Sequence, residues 1–518
     1  MNRGGTRAIM VGVVLAALEA TAAAAVADRS VVEQGAYLAR AGDCEACHTA
    51  PGGKPYAGGP PLNSSFGRIY APNITPDREA GIGAWNDDDF YRALHEGVGK
   101  HGEYLYPAFP YQWFTKMTRQ DVLAIKAYLN TIPPVNVASK PTQLMFPFDV
   151  RSGLGLWNQA YFRPGEFKPD PGKSAQWNRG AYLVEGPGHC GDCHTPKNAA
   201  MAPETAKAFS GGNIDYWYAP DITSDPTRGI GKWSEDDIVK YLKTGVAPDR
   251  GVVVGSMAQV VNESLTYLSD DDLRAIAAYL KSLPPIADYK PDRPSEMGGA
   301  HAPGETVYLN NCASCHQLNG EGRPGSIPAL AGNSVVTAKG PENVIRVILQ
   351  GRLATGTYAP MPALGSSMSD QEIADVTDYV RTAWKNAAPV INQTGLVGDI
   401  RAETVTGLSG AGAREMNGDP CAVGSENHVV AISDPQRQLD QSLASMTDEN
   451  MRETIPGLLA RVRQLSPDLS QADVVNSLSL AYCRVQSQGG ALRDEKGRAR
   501  LSRFSLLVYG ELASGGRG

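Results

Sequence analysis

Three short runs in this 518-residue chain set two cysteines and a histidine in the same order: Cys44-Glu-Ala-Cys47-His48, Cys190-Gly-Asp-Cys193-His194 and Cys312-Ala-Ser-Cys315-His316. Two thiols three positions apart lie on one turn of backbone, where they can add to the two vinyl groups of a porphyrin. The adjoining imidazole then reaches the iron as proximal ligand. Cys-x-x-Cys-His is the attachment pattern of c-type haem. Six of the eight cysteines are spent this way. The expected cofactors are three covalent haems c, with His48, His194 and His316 as iron ligands.

A haem that carries electrons generally needs a sixth ligand, and a Met sulfur raises its potential toward that of respiratory acceptors. The well-placed residues lie downstream of each motif, near the start of a later helix. In the third segment Met361 precedes Pro362, while Met368 abuts the helix and reads as a packing residue. In the second, Met257 is the choice over Met201, which follows the motif closely. In the first, the spacing of Met361 falls on Phe109, which cannot bind iron. Met117 is the nearest sulfur there, and Met145 lies past the helix. Met117 is therefore the expected ligand, with a five-coordinate iron or ligation by His95 or His101 as alternatives. His189, beside Cys190, is poorly placed to reach the distal face, and His301 and His428 read as lone surface or hydrogen-bonded residues.

The elements that position these groups recur along the chain. Gly35-Ala-Tyr37-Leu38, Gly180-Ala-Tyr182-Leu183 and Gly304-Glu-Thr-Val-Tyr308-Leu309 read as short helices entering each haem loop. After the loops, Tyr70-Ala-Pro-Asn-Ile-Thr75 and Gly81-Ile-Gly-Ala-Trp85 match Tyr218-Ala-Pro-Asp-Ile-Thr223 and Gly229-Ile-Gly-Lys-Trp233. The acids that follow, Asp87 to Asp89 and Glu235 to Asp237, suit the first turn of a helix and read as caps rather than ligands. Each segment closes with an amphipathic helix opened by Thr118, Ser269 or Ser369, with an acid three residues on. Pro133-Pro134 and Pro284-Pro285 stop the first two. These patterns predict an all-α chain, with a linker near 286–303.

Net charge of −7 and 20% charged residues give no sign of nucleic-acid binding. The Asp clusters lack the Gly and spacing of a calcium loop. Paired carboxylates, a nucleophile elbow and a phosphate loop are missing from the sequence, so no independent catalytic centre is expected. Residues 1–27 read as an export signal: Arg3 and Arg7, an apolar run from Ala8 to Leu18, and Ala25-Val26-Ala27 before Asp28. Export to the periplasm, free or at the periplasmic face of the inner membrane, is the expected location and agrees with covalent haem attachment. The expected domains are 28–168, 169–290 and 291–390, followed by 391–518, a mainly helical accessory module. That module holds Cys421 and Cys483, which in an exported protein are expected to form a disulfide.

Taken together, these motifs resemble the three-haem cytochrome c subunits of bacterial periplasmic dehydrogenases for gluconate, fructose, sorbitol, alcohols and aldehydes. The resemblance covers about residues 30–388. It rests on the three haem motifs, the Tyr-Ala-Pro-Asn-Ile-Thr and Gly-Ile-Gly-x-Trp segments, Tyr106-Pro-Ala-Phe-Pro-Tyr111, and Met257-Ala-x-Val-Val with Ser264 and Leu268. It implies three tandem class I-like cytochrome c domains. It also implies a partner subunit that oxidises substrate with a flavin, pyrroloquinoline quinone or a molybdenum cofactor, and transfer of its electrons to quinone or another cytochrome. Family ligand positions fall on His48, His194, His316, Met117, Met257 and Met361. Several members end in a short membrane-holding segment, whereas here 391–518 is longer and carries cysteines. The expectation for that module is docking of a partner. The competing readings are a multihaem enzyme such as a peroxidase and a free-standing electron shuttle.

Overall fold

A computed structural model describes residues 29–64, 66–214, 217–247, 250–286, 302–390, 394–406, 439, 442–467, 469, 471–488 and 495–514. The expected signal, most of the linker, Cys421, His301 and His428 lie outside these residues. The described residues fall into two compact units. One is drawn from Met1–Gly59, Tyr70–Pro169 and Glu185–His189, the other from Pro60–Ile69, Asp170–Val184 and Cys190–Gly518. Among the described residues no helix is long and apolar enough to cross a membrane.

Each segment that carries a Cys-x-x-Cys-His run is built on a crossing of two helices. An entering helix (residues 29–41, Ala175–Glu185 or Ala302–Asn311) meets a closing helix (Arg119–Leu129, Asp270–Ser282 or Asp370–Thr382). The crossing is close because the contact residue is glycine. A Cβ on Gly35 would lie 1.8 Å from the Ala124 carbonyl oxygen, one on Gly180 1.9 Å from that of Ala275, and one on Gly304 2.2 Å from that of Asp375. The closing helices begin as their sequences dictate. Thr118, Ser269 and Ser369 accept from the backbone N–H of Asp121, Asp272 and Glu372, and the last is a full capping box. The same acids tie the crossing together: Asp121 accepts from Gln34 Nε2 at 2.5 Å, and Asp272 takes a bidentate pair from Arg179 at 2.8 and 2.7 Å. Asn86 and Ser234 cap the helices Asp87–Glu96 and Glu235–Thr244 with boxes closed by Asp89 and Asp237. These acids are caps, as the sequence indicated.

The fold is mainly helical, with short strands that the all-α expectation did not contain. Gly212–Ile214 and Trp217–Ala219 form an antiparallel hairpin with Gly212 opposite Ala219, and Val246–Ala247 pairs with Gly251–Val252. Runs of two or three residues are too short to show a period of two, so only tertiary context reveals them.

The expected accessory module is helical where described. Met451–Leu465, Gln471–Gln488 and Glu495–Ser514 share a core that includes Leu459, Val462, Val475, Leu478 and Phe504. Tyr482 stacks on Phe504 with ring centroids 4.3 Å apart. Ala354 of the third haem segment belongs to the same cluster, and Tyr509 Oη donates to the Thr357 carbonyl at 2.9 Å. The helix Thr394–Thr406 instead buries Val397 and Ile400 in the core of the third segment. Arg401 Nε bonds Asp370 at 2.7 Å, and Glu403 pairs with Arg346. Cys483 is fully buried and disulfide-bonded.

Candidate haem centres

Each attachment motif is one turn of helix. Cys44–His48 and Cys190–His194 are five-residue helices, and Ala313–His316 is a four-residue one following Cys312. The first cysteine of each pair is half-buried, and Cys44 and Cys312 pack against core clusters. Burial pushes the Cys44 and Cys190 thiols up to about 12 and the Cys312 thiol to about 11. Neutral thiols turned into apolar surroundings suit thioether bonds to an apolar macrocycle.

The imidazoles are fixed at two points. His48 Nδ1 bonds the Pro72 carbonyl at 2.7 Å, His194 Nδ1 that of Pro220 at 2.7 Å, and His316 Nδ1 that of Pro328 at 3.0 Å. A carbonyl can only accept, so Nδ1 carries the proton and Nε2 presents its lone pair, the tautomer an iron requires. On the backbone side, Gly58, Gly211 and Gly322 donate their N–H to the carbonyls of His48, His194 and His316 at 2.9, 2.9 and 3.0 Å. All three glycines have positive φ, at 107°, 93° and 64°, a region closed to most side chains. Burial lowers the pKa of all three imidazoles, and the proline carbonyls only partly offset this. The neutral, ligating form is thereby favoured.

Two of the three prolines, Pro72 and Pro220, are followed by a side-chain brace. Asn73 Oδ1 accepts from Thr75 N and Oγ1 at 2.9 and 2.7 Å, and its Nδ2 donates to the carbonyls of Val135 and Val137. Asp221 repeats the Thr brace with Thr223, at 2.8 and 2.6 Å. The Ala-Pro-Asn/Asp segments stand out in the sequence as repeats without any sign of this role, and the three glycines carry no mark there. The available signal was the Tyr-Ala-Pro run that the first two segments share at Pro72 and Pro220; Pro328 stands in a different run and closer to its motif.

The sulfur atoms proposed for the far side are placed as follows. Met117 is 1% exposed, in a core cluster against which Cys44 packs. Met361 is half-buried against the cluster that Cys312 joins, while Met368 is buried within that cluster as a packing residue. Met257 is half-buried on the helix Gly255–Glu263. The rivals are less suited: Met145 and Met201 are 56% and 48% exposed. His101 is exposed. His95 stacks on Tyr91 at 4.8 Å and bonds Thr115 Oγ1. His189 is turned to its neighbour, Nδ1 to the Pro187 carbonyl at 2.9 Å.

In the third segment the Met361 loop closes on Arg352, whose backbone N–H and C=O both pair with Met361 at 2.9 Å. The Arg352 guanidinium donates to Leu353 O, Thr355 Oγ1 and Ala359 O. Burial pulls it down to about 10, and its charge contributes to lowering the His316 pKa.

Paired thiols, a tautomer-fixed imidazole and a downstream sulfur on helical scaffolding define a covalent haem protein. The cytochrome c family model matches residues 32–133, 178–284 and 301–384. The chain belongs to the family of bacterial dehydrogenase cytochrome c subunits. It is 42% identical over 410 residues to the cytochrome c subunit of a quinone alcohol dehydrogenase of Gluconacetobacter polyoxogenes, a match covering 75% of this chain and 86% of that one. It is 38% identical over 398 residues to the fructose dehydrogenase cytochrome subunit of Gluconobacter japonicus, covering 71% and 82%. It is also 38% identical over 387 residues to the gluconate 2-dehydrogenase cytochrome c subunit of Pantoea cypripedii, covering 70% and 87%.

Proposed function

We propose that this chain is the electron-transfer subunit of a periplasmic dehydrogenase complex and binds three covalent haems c in three tandem cytochrome c domains. The domains span about 28–168, 169–290 and 291–390. The observation that carries the reading is the threefold pairing of a Cys-x-x-Cys-His turn with a proline carbonyl on the histidine Nδ1. Haem iron supplies reversible one-electron chemistry; the chain's residues supply position, ligands and exclusion of water. Met117, Met257 and Met361 are the proposed sixth ligands. The names of the relatives favour a partner that oxidises an alcohol, sugar or sugar acid. Its flavin, pyrroloquinoline quinone or molybdenum cofactor would lie in that other polypeptide, and the acceptor would be quinone or another cytochrome.

The ligand assignment is tested by replacing each methionine with leucine in the full-length haem protein. Each change should remove one low-spin haem from the oxidised spectrum and lower one midpoint potential, leaving the other two in place. An unchanged spectrum and potential set for Met117→Leu would exclude Met117.

A further inference from the structure

We infer that Asn343, a residue of the third haem segment, is a positioning residue for the haem attached at Cys190 and Cys193. Asn343 lies in the first turn of the helix Glu342–Gln350, which is anchored in the third segment's core by Ile345, Ile348 and Leu349. Its side chain, 3% exposed, reaches the hairpin strand Trp217–Ala219 of the second segment. There its Nδ2 donates to Tyr218 O at 2.8 Å and its Oδ1 accepts from Tyr218 N at 2.9 Å. One amide thus holds both backbone groups of one strand residue, as a neighbouring strand would. One turn on, the Arg346 guanidinium lies 5.1 Å over the Trp217 ring, so the helix grips two successive residues of the strand.

That strand leads directly to the proximal ligand. Two residues after Tyr218, the Pro220 carbonyl accepts the His194 Nδ1 proton at 2.7 Å. On the far side of Pro220 the Asp221–Thr223 brace holds the chain. Pro220 is therefore fixed from both sides, and on one side the fixing group comes from the third segment.

The strength of the Nδ1–H···O=C bond sets the basicity of the imidazole. A stronger bond favours ferric iron and lowers the potential; a slacker one raises it. Removing the Asn343 amide leaves both Tyr218 backbone groups without that partner. The strand then relaxes, and the hold on His194 weakens. The midpoint of this haem should rise by the equivalent of roughly a threefold to tenfold change in its ferric-to-ferrous ratio, tenfold being about 59 mV for one electron.

The inference rests on His194 being the proximal ligand. The experiment is a spectroelectrochemical titration of full-length haem-loaded protein. The midpoint belonging to this centre is identified as the one displaced in His194→Met. In Asn343→Ala that midpoint should rise while the other two stay and haem content holds. Three unmoved midpoints, or movement confined to another haem, would overturn the inference. If Asn343→Ala does not mature, Asn343→Leu keeps side-chain bulk and adds no charge while removing both the donor and the acceptor from Tyr218. The same midpoint should move upward there, and no movement would be equally fatal. If His194→Met displaces no midpoint, the haem assignment itself fails. A displaced midpoint with inert Asn343 variants removes only this inference.

Discussion

At the residue scale, the proline carbonyls decide which nitrogen the three imidazoles present. The Cys-x-x-Cys-His turns were legible in the sequence because both thiols and the histidine lie within five residues. The clamps were not. The accepting carbonyls lie 24, 26 and 12 residues downstream of His48, His194 and His316, and a backbone acceptor leaves no side-chain signature. Arg352 was also unmarked, since a single arginine in a loop has no pattern. Its charge near His316 disfavours ferric iron there, so removing it should lower the potential of the haem at Cys312 and Cys315. Arg352→Gln, which can retain a donor to the loop carbonyls, is expected to lower that one midpoint. Potentiometry showing no change would remove Arg352 from the account of that site.

At the element scale, the helix crossing holds each centre together. The entering and closing helices were legible from their caps and periodicity, but the reason for Gly35, Gly180 and Gly304 was not. The carbonyl each glycine must clear belongs to a helix 70 or more residues away. Gly180→Ala forces a methyl against the Ala275 carbonyl, a backbone atom that cannot rotate away. Overpacking of this kind costs about 1–3 kcal/mol, and the upper end is expected here. Denaturant unfolding should show the loss in the second unit; a midpoint equal to wild type would mean the crossing yields more easily than its geometry implies. The final helix, Glu495–Ser514, was missed in the sequence. Its charged start and Gly510 break the periodicity, while its apolar face becomes evident only against Tyr482 and Leu478.

At the scale of the whole molecule, the region after residue 390 divides in two. Thr394–Thr406 completes the third segment through Val397, Ile400 and the Arg346–Glu403 pair, whereas the later helices have a core of their own that meets this segment at Ala354 and through the Tyr509–Thr357 bond. A chain ending at 406 should therefore keep its haems and potentials, while one ending at 390 should lose stability in the third segment. If the later helices dock the dehydrogenase subunit, the chain ending at 406 should also fail to co-purify with it. Unchanged co-purification would assign them another role.

The central claim, that the chain relays electrons through three covalent haems, is tested most directly by an anaerobic reductive titration of the mature protein with its oxidation by quinone or a cytochrome followed afterwards. The expected result is three electrons taken up per polypeptide, all of them recoverable by the acceptor. Uptake of fewer than three, or reduced haems that pass nothing on to either acceptor, would contradict it.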